Sequence, residues 1–154
     1  MTTQKIMESK WFADKKMLVT HISGDVNKGD IEHWENSLKQ SLEQIQSNDN
    51  FKIFVNMHGF KAIDIDAHKR FRAVIPLTLA EYGWKVGYVD LFEDEAKTMI
   101  FKNTGGIKCV TAAHSHQDET KMEHYETQFS SAKEHFFTDP EKAERWIEAL
   151  EINN

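Results

Sequence analysis

Cysteine is almost absent from this chain. Cys109 is the only one, so no intrachain disulfide can staple the fold. A lone Cys in the apolar-flanked run Ile107–Ala113 is expected to be a small core hydrophobe, and no His or carboxylate adjoins it to mark a nucleophile. Proline is nearly as scarce, with Pro76 and Pro140 alone. No linker-like, repetitive or low-complexity run divides the 154 residues. A single domain over 1–154 is therefore expected, large enough to bury roughly 68–70% of its unfolded surface. Long apolar runs are missing too. No stretch approaches the roughly 18 residues of a spanning helix, and the opening MTTQKIMESK has no apolar signal core. These features lead us to expect a cytoplasmic protein without a membrane span. Cations are in deficit, with 19 Lys+Arg against 25 Asp+Glu and a net charge of −6. Such a surface repels phosphate backbones, so nucleic acid is not an expected partner. The sequence also lacks G-x-S-x-G, a P-loop, a dinucleotide Gly pattern and H-E-x-x-H. No cofactor is expected, and an enzyme would have to assemble its site from distant residues.

What is present is an alternation of short apolar runs with longer amphipathic ones, the signature of an α/β chain. Lys16–Ser23 reads as a strand, paired with Lys5–Phe12 as a hairpin around Ala13-Asp14-Lys15. A helix is expected from Asp30, as N-cap, to Ser47, with Ile31, Trp34, Leu38, Leu42 and Ile45 on one face. Phe51–Met57 is a second strand. A second helix over Asp66–Tyr82 carries Pro76, where a kink or break is expected, and ends at Gly83. Trp84–Leu91 reads as a third strand, Glu93–Lys102 as a short helix and Ile107–Ala113 as a fourth strand. A helical stripe of Met122, Tyr125 and Phe129 follows. The short extended piece Glu134–Phe137 precedes a last helix at Pro140–Glu151. Thr138 and Glu141 have capping-box spacing there, with Pro140 near N1. Trp34, Phe54, Phe71 and Trp146 are expected to be largely buried.

This order resembles the STAS fold of anti-sigma-factor antagonists and sulphate transporters. It is most similar to the SpoIIAA-like branch of small stand-alone bacterial proteins. The stretches FKIFVNMHGFKAIDIDAHKRFRAVIP, YGWKVGYVDLFEDE and EHFFTDPEKAERWIEAL carry the resemblance. It implies a mixed four- to five-stranded sheet with helices mainly on one face. It also implies a partner-binding surface at the loop and helix start after the central strand. Anti-sigma antagonists carry a phosphorylatable Ser there. This chain has Gly59-Phe60-Lys61-Ala62-Ile63-Asp64-Ile65-Asp66, with no Ser or Thr. Asp64 or Asp66 could mimic a permanent charge, although Asp at such a junction is more commonly a helix cap.

The candidate binding residues are Phe60, Asp64, Asp66, His68, Lys69 and Arg72. His68-Lys69-Arg70-Phe71-Arg72 is the densest basic cluster in an acidic chain. Placed in the first turns of a helix, it opposes the helix dipole and could hold an anion. Alternatively, Asp64 and Asp66 neutralise it and the long side chains are solvated. Phe60, Phe92, Phe101, Phe136 and Phe137 sit at element ends and could line an apolar pocket. The function expected from these features is non-enzymatic binding of a protein partner or a small anionic or apolar ligand, with homodimerisation left open. The alternative is a metal protein or enzyme using His114 and His116, an H-x-H pair that needs a third ligand such as His124 or His135.

Overall fold

A computed structural model describes residues 5–88, 97 and 99–152. The chain opens with a hairpin, β1 (Ile6–Phe12) and β2 (Met17–Val26), paired from Phe12↔Met17 to Ile6↔Ser23. Then follow α1 (Lys28–Leu42), β3 (Asn50–Asn56), β4 (Phe60–Ala62) and α2 (Ile65–Ala80). A 3-10 turn at Thr104–Gly106 leads into β5 (Lys108–Ser115), α3 (Glu119–Phe129), β6 (Glu134–Phe137) and α4 (Pro140–Ala149). The strands form one mixed sheet of order β1-β2-β3-β5-β6, in which β4 extends beside the end of β2. Only the β1–β2 pair is antiparallel among these described pairs.

Period-2 alternation sorts the side chains between two faces. Leu18, Ile22, Phe51, Ile53, Val55, Cys109 and Ala112 meet α1, α2 and α3 in the main core. Met17, Phe54 and Ala113 face the other way and pack with Ala143 and Ile147 of α4. A bulge keeps this sorting intact. Phe51 pairs with Cys109 but Lys52 with Thr111, so Val110 is the extra residue. Without it every later β5 side chain, His114 included, would swap faces. Each parallel crossover steps to the next strand in the same direction, which puts α1, α2 and α3 together on one face.

Phe51–Met57 is central, as expected, and the hairpin and the strand near Ile107–Ala113 are also found. The sheet has six strands rather than four or five, because Phe60–Ala62 and Glu134–Phe137 both join it. The expected strand at Trp84–Leu91 is not formed in its described part. Residues 84–86 are irregular, 87–88 form a turn, and 89–91 lie outside the described residues. The place beside β5 is taken by β6, and Glu134 of β6 accepts the Gly87 N–H at 2.9 Å. Of the helix expected over 93–102, residue 97 is helical, residues 93–96 and 98 lie outside the described residues and 99–102 are irregular.

Caps also differ from expectation. Asn27, not Asp30, caps α1. Its side chain accepts from Asp30 N, and Asp30 returns the bond to Asn27 N, a reciprocal capping box. The helix ends at Leu42, before the expected Ser47. Asp139, not Thr138, caps α4, accepting from Glu141 N with Pro140 at the first turn. Pro76 lies inside α2 without breaking it. Gly83, just past α2, has φ +76°, and a Cβ there would meet Asn103 Oδ1 at 2.3 Å. Trp34 and Phe54 are fully buried and Cys109 is buried, as expected, and burial pushes the Cys109 thiol pKa up. Phe71 and Trp146 are only partly buried. Phe71 stacks on Phe60 at the rim of the core, and Trp146 covers Phe137 and His135 on the thinner face.

Candidate binding cleft

The carboxyl ends of the parallel strands open into a cleft of about 320 Å³. Ligands of open α/β sheets bind in such crevices. Met57 follows β3, Phe60 to Ala62 are β4, His116 follows β5, and Phe136 lies near the end of β6. Helix α2 contributes His68, Phe71, Arg72 and Ile75, spaced i, i+3, i+4, i+7 on one face. From α3 come Lys121, Met122 and Tyr125.

The floor is aromatic. Phe60 stacks on Phe71 with centroids 4.0 Å apart, and Phe71 stacks in turn on buried Trp34 at 5.6 Å. Tyr88 stacks on Tyr125 at 5.4 Å, and Tyr125 meets the edge of Phe136 at 5.6 Å. Burial drives the Tyr88 and Tyr125 pKa values up, which keeps both phenols neutral. The β4 wall is pinned by one side chain. Gln117 accepts from Gly59 N at 2.7 Å and donates to Phe60 O at 2.8 Å. Gly59 itself has φ +90°, where a Cβ would lie 2.3 Å from Ser23 Oγ, so only glycine fits that turn.

The rim is basic. Lys61, Arg72 and Lys121 supply cations, His68 and His116 supply imidazoles, and no Asp or Glu lines the cleft among the described residues. Desolvation lowers the Lys121 pKa, partly offset by Asp118, and the ammonium lies 5.7 Å from the Tyr125 ring centroid. The His68 pKa is lowered by burial and then by the charges of Lys121 and Arg72. Burial, with Lys121 next in weight, brings His116 down to about 4. Its Nδ1 accepts from Asp118 N at 3.0 Å, which leaves Nε2 as the N–H donor of the neutral ring. The cleft thus concentrates positive charge in an acidic chain, and each imidazole resists adding more.

The sequence candidates divide. Phe60, His68 and Arg72 line the cleft. Asp64 is the N-cap of α2, accepting from Ala67 N at 2.8 Å. Asp66 is an exposed first-turn acid and Lys69 is exposed, and neither lines the cleft. Arg70 of the same cluster pairs with Glu35 of α1. Of the element-end aromatics, Phe60 and Phe136 line the cleft. Phe137 faces α4, Phe101 is exposed and Phe92 lies outside the described residues.

His114 and His116 do not form the expected loop pair. His114 is a buried strand residue whose Nε2 meets Glu134 Oε2 at 2.7 Å, under a stacked Phe136 ring at 4.7 Å. Its Nδ1 has no hydrogen-bond partner among the described residues. His135 instead meets Glu126 at 2.7 Å, and His124 packs beside Tyr125 and Phe129. Among the described residues, no three His, Cys, Asp or Glu side chains gather in a metal-ligating group.

Sequence reasoning missed Lys61, Tyr88, Lys121 and Tyr125 as site residues. Tyr125 and Met122 were legible as an apolar stripe, and Lys121 beside them was the available signal. No family model, curated protein or solved structure matches the chain.

Proposed function

We propose that this chain is a non-enzymatic binding module of the STAS type, in its SpoIIAA-like form, whose cleft holds a small amphipathic anion. The observation that carries this reading is the lining itself. Three cations and two imidazoles surround stacked aromatic rings, with no carboxylate among the described lining residues. An apolar body would replace water over Phe60, Phe71, Tyr88 and Phe136. An anionic head would lie among the cations and imidazoles of the rim, beside Lys121 and His116. Mostly apolar clefts with a few convergent polar groups are the usual form of small-ligand sites. The STAS assignment is supported by the opening hairpin and the α/β alternation. It is also supported by the position of Phe60 and α2 after the central strand. Because Asp64 is occupied as a cap at the junction where antagonists carry Ser, the module works in this reading by ligand occupancy rather than phosphorylation.

The test is calorimetric titration with 2-naphthoate and with 2-naphthamide, which share a flat apolar body and differ in charge. The account expects 1:1 binding of the carboxylate, weakened by salt, and much weaker binding of the amide. It expects Arg72→Glu with Lys121→Glu to abolish carboxylate binding while the melting temperature stays close to wild type. Equal binding of acid and amide, or unchanged binding by the double variant, would overturn it.

A further inference from the structure

From the edge strand β1 we infer that the protein self-associates as a two-fold dimer, β1 pairing antiparallel with β1 of a second copy about Ser9. Strand β1 is a terminal strand bonded to β2 alone among the described strands. None of its seven residues is buried. It is the longer of the two edges, since β6 at the other end has four residues. A seven-residue edge offers a row of backbone donors and acceptors to another strand.

What singles out a second copy is the order of side chains. Ile6-Met7-Glu8-Ser9-Lys10-Trp11-Phe12 reads apolar, apolar, acid, Ser, base, apolar, apolar. A two-fold axis at Ser9 sets Glu8 against Lys10, Lys10 against Glu8, Met7 against Trp11 and Ile6 against Phe12. Every opposed pair is complementary, as an isologous contact requires. Glu8 and Lys10 are both exposed, and neither forms an ion pair with any described residue. Lys10 Nζ rests over the Phe12 ring at 5.0 Å, so its charge lies along the same strand face.

Charge also selects the register. A shift by one residue would set residues of opposite faces against each other and turn one copy over. The nearest shifts that keep the faces continuous set Glu8 against Glu8 or Lys10 against Lys10. The Ser9 register alone among these avoids like charges. At its centre Ser9 is small and engaged inward, with its Oγ 2.7 Å from Thr20 Oγ1 and 3.0 Å from Ser37 Oγ. The edge there is unobstructed by its own side chain.

The test is sedimentation of wild type, Glu8→Lys, Lys10→Glu, the double swap, and an equimolar mixture of the two single variants. Wild type should be dimeric. Each single reversal puts like charges together twice per dimer and should weaken association by about tenfold or more. The double swap should restore the dimer, and the mixture should form a heterodimer. A wild type that stays monomeric up to its solubility limit overturns the inference, as do single variants that dimerise like wild type. Should a reversal impair folding, Glu8→Cys with Lys10→Cys decides the matter. Oxidation should yield a dimer linked between residues 8 and 10 of different copies, and a chain that stays unlinked contradicts the register.

Discussion

The two faces of the sheet use the same strands for different ends. One is covered by α1, α2 and α3. It holds a continuous core from Met7 to Phe136, into which Trp34 Nε1 donates a buried hydrogen bond to Thr20 at 2.7 Å. The other is covered by α4 over β3, β5 and β6, and leaves Glu8, Lys10, Val19 and His21 along an open groove. On this thinner face a charge does structural work. Lys52 is 3% exposed, and its ammonium donates to Glu148 O at 3.0 Å and Leu150 O at 2.7 Å. These carbonyls at the end of α4 would otherwise lack helical partners. The covered face therefore supplies bulk stability and the cleft, whereas on the other face α4 is held by a small apolar cluster around Ala143 and Ile147, one lysine and a few rings.

That contrast can be broken at graded cost. Trp34→Ala removes a fully buried ring and its hydrogen bond, and should lower stability by about 3–5 kcal/mol in denaturant unfolding. Lys52→Met leaves two carbonyls without their donor and should cost about 1–3 kcal/mol, with faster amide exchange confined to α4. Trp146→Ala should cost less than Trp34→Ala, about 2 kcal/mol, because the ring is only partly buried. If Trp146 proved as costly as Trp34, the two faces would not differ as described. Acid sharpens the comparison on the cleft side. His116 is held down to about 4 and His68 is also lowered, so the unfolded chain binds more protons than the folded one below the ordinary histidine range. Their contribution is present above about pH 6.5 and is lost as pH falls toward about 4. His116→Gln should flatten that part of the stability profile.

The covered face was the more legible in sequence. The helical spacing of Ile31, Trp34 and Leu38 and the alternation of Phe51, Ile53 and Val55 both report burial against a neighbour directly. The cleft was legible where it lies on α2, since His68 and Arg72 fall at i, i+4. It was not legible on α3, because Lys121 contributes through a tertiary approach that no local period encodes. Trp84–Tyr88 alternates like a strand yet is not one, because the choice between it and Glu134–Phe137 for the edge beside β5 rests on long-range pairing. His114 and His116 looked like a ligand pair. The strand runs through Ser115, so His114 is buried in the core and His116 emerges beside the cleft.

The most direct test of the cleft as the binding site is a backbone amide titration by NMR with 2-naphthoate. The account expects saturable shifts at Phe60, Lys61, His68, Arg72, His116, Lys121 and Tyr125, with Glu8, Lys10 and the residues of α4 unmoved. Shifts centred on the open face, or none at a ligand concentration that saturates the calorimetric signal, would contradict it.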